Sequence, residues 1–421
     1  MRSHPWLPPH ERGCHPPPVR AMTIRSKARL IPRYNWDYTL RDMATGVVAA
    51  IRGAAGCEEG FEAVFGQTPI LTTSGRASLY AILKSLRLPE GAGVAVPLFC
   101  CPVVFDAIAQ AGLSPRFVDV DLDDYTMSPA DLGRKKGSFA AVVVVHMFGH
   151  PADIDAIRAA CGAGIPIIED CAQSLFSEYK GRRTGLLADY SFFSFRSGKY
   201  ISAGEGSAIF VRDTSSRRAV RQVVDTFGAP SRRHEVLHCA AVRVKSLLYH
   251  RPWYGLVGYP IGRLLDRKFN LTAKEGLELS TIRASDLKVI AARLSTFKAR
   301  VEKQRDNALF LLDRPRLRSV HMPREKERCR SNYFQFALRF ETPQARDRAA
   351  SYLHRRGIDA ARYLDDIVEY SERAHGYKGD CPSAAMCSKR MLVIPHYYTL
   401  SKKDLLRVAE AVGELDDAVP A

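Results

Sequence analysis

Two short stretches carry groups that could do covalent chemistry together. The first, PIIEDCAQS (166–174), is an apolar run ending in the carboxylate of Asp170, with Gln173 three residues on. The second, SFFSFRSGKYISAGEGS (191–207), is an aromatic run that leads to Lys199 and then to a glycine-rich turn. A lysine amine can form a Schiff base with a cofactor aldehyde. A carboxylate can hold a pyridine nitrogen protonated, so that the ring accepts electrons. Pyridoxal 5'-phosphate (PLP) needs both groups. Its phosphate needs a third site, and Ser74-Gly75-Arg76 offers one at a strand-to-helix turn, where free amides and the positive end of the helix dipole suit an anion. Ser74 is the candidate N-cap, Gly75 permits close backbone approach, and Ser194 is a further candidate phosphate donor.

Each of these signals has a plainer reading when taken alone. Short Ser-Gly turns are common, a strand-end Asp often only caps a helix, and most lysines are solvated. Gln173 could donate to a ring oxygen or simply lie in its turn. His146, ending the run VVVVH, reads as a hydrogen-bonded core histidine rather than a catalytic one. What favours chemistry is the set. Lys199 leaves an apolar strand, and its partial burial would lower the amine pKa toward the range that imine formation requires. The AGEG turn after it could bring backbone close to a ligand.

The elements that must position these groups read as an α/β fold. Apolar runs at 68–75, 94–99, 115–121, 140–149, 166–170, 190–195 and 206–213 predict strands, and periodic segments at 77–86, 103–112 and 152–162 predict helices. Runs rich in Val, Ile and Phe without alternation indicate a sheet covered on both faces. Strands alternating with helices make that sheet mostly parallel. The C-terminal part reads as α+β, with a long helix over 281–312, a strand over 332–340, and helices over 346–357 and 402–415. The expected division is a basic, Pro-rich flexible tail at 1–35, a large domain at 36–285 and a smaller one at 286–421.

Composition bounds the partners. The 421 residues carry a net charge of +17, which suits phosphates, nucleic acid or an acidic membrane, although a basic solvated surface would give the same number. No apolar run is long enough to span a bilayer and no secretory signal is visible. The ten cysteines show no CxxC pair or metal-ligand spacing, so reduced thiols in a cytoplasmic protein are expected. No metal is expected. A nucleic-acid arm lacks a supporting motif, so no nucleic acid is expected either. Residues 216–268 stand apart: eleven Lys/Arg face three acids. Within them a predicted helix over 237–249 puts Leu237, Ala240, Ala241, Val244, Leu247 and Leu248 on one face. That helix could cover a substrate entrance, pack on the domain, or touch an anionic membrane.

The stretches TSGRASL (73–79), VAVPLFCCPVVFDAI (94–108), RFVDVDLDDYTM (116–127), VVHMFGHPADIDAI (144–157), IPIIEDCAQSLFSEYKGRRTG (165–185), FFSFRSGKYISAGEGS (192–207) and the segment 381–412 resemble the DegT-type sugar aminotransferases. The resemblance implies fold type I of the PLP-dependent transferases, with a seven-stranded-type sheet in the large domain. It implies that Lys199 forms the Schiff base and shuttles the proton, that Asp170 pairs with the pyridine nitrogen, and that Gln173 contacts the ring hydroxyl. Ser194 and the turn at Gly75-Arg76 would hold the phosphate. Three departures stand out. The family's Thr is Arg76 here. The usual ring-stacking aromatic is Cys101, with Phe99 as a substitute. The Arg-Asn-His-Gly stretch that reaches a partner's phosphate is replaced by DTFGAP (225–230).

By resemblance, the expected activity moves an amino group from a donor such as glutamate to a keto sugar carried on a nucleotide, within a homodimer. Another PLP reaction on a sugar or amino acid is the rival enzyme. A non-catalytic, regulatory or membrane-associated protein of the same fold is the rival from another class.

Overall fold

The computed structural model describes residues 23–262, 277–314 and 317–419. Seven strands form the central sheet. They are β1 (Ile70–Thr72), β2 (Gly93–Pro97), β3 (Ser114–Val118), β4 (Ala141–Val145), β5 (Ile167–Asp170) and, beyond a short ribbon of β6 (Glu178–Tyr179) and β7 (Arg182–Arg183), β8 (Tyr190–Ser194) and β9 (Ser207–Val211). Their spatial order is β1-β9-β8-β5-β4-β2-β3. Neighbours from β8 across to β3 pair in parallel, and β9 runs antiparallel to both β8 and β1. Every residue of β2, β4, β5 and β9 is buried, because helices cover both faces. The register sets Val145 beside Asp170 and Asp170 beside Phe192, so the ends of three strands come level at one place.

The smaller sheet is antiparallel throughout. It contains β10 (Val320–His321), β12 (Phe336–Phe340), β13 (Ala361–Arg362) and β14 (Met391–Ile394) in the order β10-β12-β14-β13, while β11 (Cys329–Arg330) pairs with β6. One helix, Phe297–Leu312, serves two cores. Phe297 and Val301 pack with Phe61, Phe195 and Ile290, whereas Ala308 and Leu311 pack with Phe336 and Leu392.

Four expectations need correction. Of the expected tail, residues 1–22 lie outside the described residues, but 23–35 are folded. The helix Ile24–Ala28 leads to Leu30 and Ile31, both buried, and Ile31 pairs with Ile358. Arg33 is neutralised there by Asp359, so its charge did not signal a solvated tail. The helix over 281–312 is two helices, Ala284–Leu294 and Phe297–Leu312, separated at Ser295-Thr296. The strand over 332–340 is only Phe336–Phe340. The residues before it turn, with Tyr333 at φ 47° and Asn332 accepting the Phe334 N–H on its side chain. The helix over 237–249 spans Arg232–Leu248, and its apolar face points outward.

That helix is turned by its polar contacts. Glu235 accepts the Ser285 N–H at 2.9 Å, and Ser246 bonds the backbone of Trp36 and Tyr38. Cys239 sits so close to Gly46 that a Cβ there would lie 2.9 Å from its sulfur. Residues 263–268 of the basic segment lie outside the described residues. Among those described, no helix is long and apolar enough to cross a membrane. The described cysteines are all free thiols.

Candidate active site

The sheet's carboxyl edge opens into a cleft of about 820 Å³, where Asp170, Lys199, Gln173, Ser74, Gly75, Arg76, Ser194 and Cys101 meet. Carboxyl ends of parallel strands are where α/β folds place ligands, because the chain turns away and leaves a crevice. Asp170 closes β5 at the cleft floor. Its Oδ1 accepts the Ala172 N–H at 2.9 Å, and burial raises its pKa, an effect reduced by that hydrogen bond and by Lys199 and His146. A buried acid of this kind gains most from a cationic partner.

Lys199 faces it from the loop after β8. The loop is fixed locally: Lys199 N–H donates to Arg196 O at 3.0 Å, and Ser202 Oγ donates to Lys199 O at 3.0 Å. Burial lowers the Lys199 pKa, while Asp170 and Cys101 act in the opposite direction. Its Nζ lies 5.3 Å from the centre of the Phe334 ring. A lysine held this way spends more time as the neutral amine that carbonyl addition needs.

The opposite wall is the start of the helix Gly75–Ser85. Ser74 caps it, accepting the Ala77 N–H at 3.2 Å. A Cβ on Gly75 would come within 3.3 Å of the Phe192 ring and 3.6 Å of the Ser194 Cβ, so the missing side chain keeps this corner open. Free amides, a hydroxyl on each side and the positive end of an 11-residue helix make an anion cradle.

Gln173 lines the same cleft, with its Oε1 taken by Phe148 N–H at 3.0 Å and its amide nitrogen 3.1 Å from the Tyr363 hydroxyl. Phe99 does not reach the cleft. It is fully buried, edge-on to Phe148 and Tyr363, whereas Cys101 is exposed to the cavity. The structure therefore brings Cys101, and not Phe99, to the position where an aromatic was expected.

His146 is structural. Its Nδ1 accepts the Ala152 N–H, so Nε2 donates to Glu169 Oε2 at 3.0 Å. Glu169 also accepts N–H groups from Gly185, Leu187 and Ala188, each at 2.8 Å. The donor atoms of His146, Glu169 and Cys171 lie within 4.8 Å of one another, but the first two are occupied by these bonds.

Three glycines flank Lys199 in this loop. Gly198, Gly204 and Gly206 have φ of 89°, 113° and 126°, and a Cβ on them would strike Trp36, His238 or Ile282 and Ile290 at 2.7–2.9 Å. They let the lysine loop pack closely against protein, and Gly198 and Gly204 also line the adjoining cavity.

A second cavity, about 1200 Å³, joins the cleft at Lys199, Arg196, Gln173 and Glu205. Its outer wall includes His238, Val242 and Lys245 from the helix Arg232–Leu248, together with Trp36, Tyr249 and Phe334. Sequence reasoning missed Arg196, Glu205 and His238. The first two lay inside the quoted lysine stretch, between residues that drew more notice. His238 carried no local signal, because only folding brings it to Asp286, 3.0 Å away. Two basic residues of that helix are placed differently: Arg243 donates to Tyr38 O, and Lys245 lines the cavity.

Known proteins resemble this chain along most of its length. Residues 54–413 match the DegT/DnrJ/EryC1/StrS aminotransferase family. GDP-perosamine synthase of Escherichia coli O157:H7 is 25% identical over 349 residues, 81% of this chain and 84% of that protein. UDP-N-acetyl-3-dehydro-alpha-D-glucosamine 3-aminotransferase of Acidithiobacillus ferrooxidans is 23% identical over 419 residues, 98% of each. The crystal structure of the sugar aminotransferase CalS13 from Micromonospora echinospora superposes with a TM-score of 0.72 at 20% identity, covering 91% of this chain and 100% of that one.

Proposed function

The chain belongs to the DegT/DnrJ/EryC1/StrS aminotransferase family, and we propose that it transfers an amino group from glutamate to a keto sugar carried on a nucleotide. It is a PLP-dependent aminotransferase of the type I fold. When bound, PLP supplies the aldehyde that captures the donor's amine and the ring that stabilises negative charge at the carbon losing its proton.

The chain's residues fit that group. The buried acid Asp170 offers charge to a protonated ring nitrogen. The cradle at Ser74, Gly75 and Ser194 offers donors to a phosphate. Gln173 stands at the side of the cleft where a ring hydroxyl would face it. Lys199 would hold the group's aldehyde and would be the base that takes the proton from the substrate carbon. Burial lowers its pKa from the ordinary lysine value, which favours the neutral, proton-accepting amine.

One observation carries the substrate reading. Lys199 stands where the narrow cofactor cleft meets a much wider cavity. Glutamate alone needs little of that room, which leaves space for a sugar with its nucleotide. Lys245 and Arg196 place positive charge on the wall for a diphosphate. The relatives' names supply the chemical class, a nucleotide-linked sugar. Purified PLP-loaded protein, glutamate and a panel of keto sugars, free and nucleotide-linked, test this by mass detection of the amino sugar. Formation from the nucleotide-linked members supports the reading. Conversion of free sugars alone, or of none while glutamate is still deaminated, sinks it.

The reading includes a homodimer. The segment that replaces the family's partner-directed stretch is pinned within its own chain, Gly228 exchanging backbone hydrogen bonds with Leu279 and Thr281 at 3.0 Å.

A further inference from the structure

The helix Arg232–Leu248 is amphipathic in the reverse of the usual sense. Its inward face carries Glu235, Cys239, Val242 and Ser246, all buried. Its outward face carries Leu237, Ala240, Ala241, Val244 and Leu247, spaced three and four residues apart, with Leu237 68% and Val244 57% exposed. Apolar exposure continues directly along the chain in Trp253, 52% exposed, and then Leu256 and Ile261. A soluble surface does not ordinarily leave such a stripe in water.

The charge beside the stripe has one sign. The helix contains a single acid, Glu235, which is buried and taken by the Ser285 N–H. Lys245 is exposed along its flank, and the sequence opens the helix with Arg232 and Arg233. An apolar stripe bordered by cations, followed by an exposed tryptophan, is the pattern of a helix lying in a lipid headgroup layer. A second copy of this chain would bring the same positive charge against itself, which argues against a self-pairing occupant.

We propose that the outward face of helix Arg232–Leu248 docks on an anionic lipid surface, with Leu237, Val244 and Leu247 entering the headgroup layer. Ala241 and Lys245 of the same helix also line the wide cavity that reaches Lys199. Docking therefore sets the cavity mouth at the membrane surface. The docking itself rests on the exposed stripe and its charge, and stands whether or not the keto-sugar reading holds.

The test uses full-length PLP-loaded protein and flotation with two vesicle types, pure phosphatidylcholine and phosphatidylcholine mixed with phosphatidylglycerol. Wild-type protein is expected to float with the anionic vesicles and to be released by salt at about 0.5 M, since screening shortens the reach of the cations. The double variant Leu237→Asp, Val244→Asp should bind those vesicles about tenfold more weakly or worse. Both side chains lie outside the cavity wall and the core, so the thermal midpoint and the visible absorbance of bound PLP should be unchanged, which separates lost docking from lost folding. Should the double variant misfold, Leu237→Ser alone must still weaken flotation. No flotation of the wild type, or equal flotation of folded wild type and variant, overturns the proposal. A variant that floats normally but sediments as a smaller species than the wild type also overturns it, and assigns the stripe to a second copy.

Discussion

Lys199 and Asp170 have pKa values shifted in opposite directions by burial, the lysine's down and the acid's up. Burial disfavours the charge on both, and their mutual attraction restores part of it. Lys199→Ala should abolish the visible absorbance of PLP-bound protein and slow transamination by roughly a thousandfold or more, as loss of the covalent anchor and proton carrier requires. A variant with unchanged spectrum and rate would refute the role. Asp170→Asn should keep some PLP and lose on the order of a hundredfold in rate, because the ring nitrogen loses its charge partner. A near-normal rate would refute that. A third residue gives a pH test. Burial holds Asp286 up at about 6, although His238 and Arg283 act against the rise. A raised carboxyl pKa favours folding below the unfolded value near 4, and that stability is lost as pH climbs toward and past about 6. Asp286→Asn removes this dependence. Between pH 4 and 6 the wild type should lose about 2 kcal/mol relative to the variant. Parallel urea-denaturation curves for the two proteins would contradict it.

At the scale of elements, the lysine loop and the helix Arg232–Leu248 depend on each other. At Gly204 a Cβ would lie 2.7 Å from His238 Nε2 and 2.9 Å from Val242, and its φ of 113° resists any other residue. Gly204→Ala should cost about 2 kcal/mol or more in stability and weaken PLP capture by the displaced Lys199, read by thermal melting and cofactor titration. Lys245→Ala should raise KM for a nucleotide sugar by about tenfold, the worth of one charged contact to phosphate. An unchanged KM would remove Lys245 from the substrate wall. These elements differed in how legible they were. The strands 141–145 and 167–170 were plain because continuous Val and Ile runs have one comfortable place, inside a parallel sheet. The cofactor residues were legible because they sit at the ends of those strands. The orientation of helix Arg232–Leu248 was not, since apolar periodicity pointed one way and three specific polar contacts turned it the other. The turn at 332–335 was hidden because Tyr333, Phe334 and Phe336 read as a strand, while Tyr333 adopts a left-handed backbone. Phe99 was misplaced for a related reason: its aromatic ring suggested stacking, but two aromatic neighbours hold it in the core.

At the scale of the whole molecule, the proposed homodimer predicts a sedimentation mass of twice 46.9 kDa for the PLP-loaded protein. A monomer that binds PLP tightly would show that one chain completes the cofactor site. The helix Phe297–Leu312 has a consequence of its own. Its 16 residues form a rod about 24 Å long, seated in one core by Phe297 and Val301 and in the other by Ala308 and Leu311. Gln304, between the two seats, donates to the carbonyls of Tyr333 and Phe334 at 3.0 Å, so the rod also holds the ring that faces Lys199. Neither core can loosen without unseating one end of it. The two cores should therefore melt in a single cooperative transition, with equal calorimetric and van't Hoff enthalpies, and the environment of Lys199 should be lost at the same temperature as the small sheet.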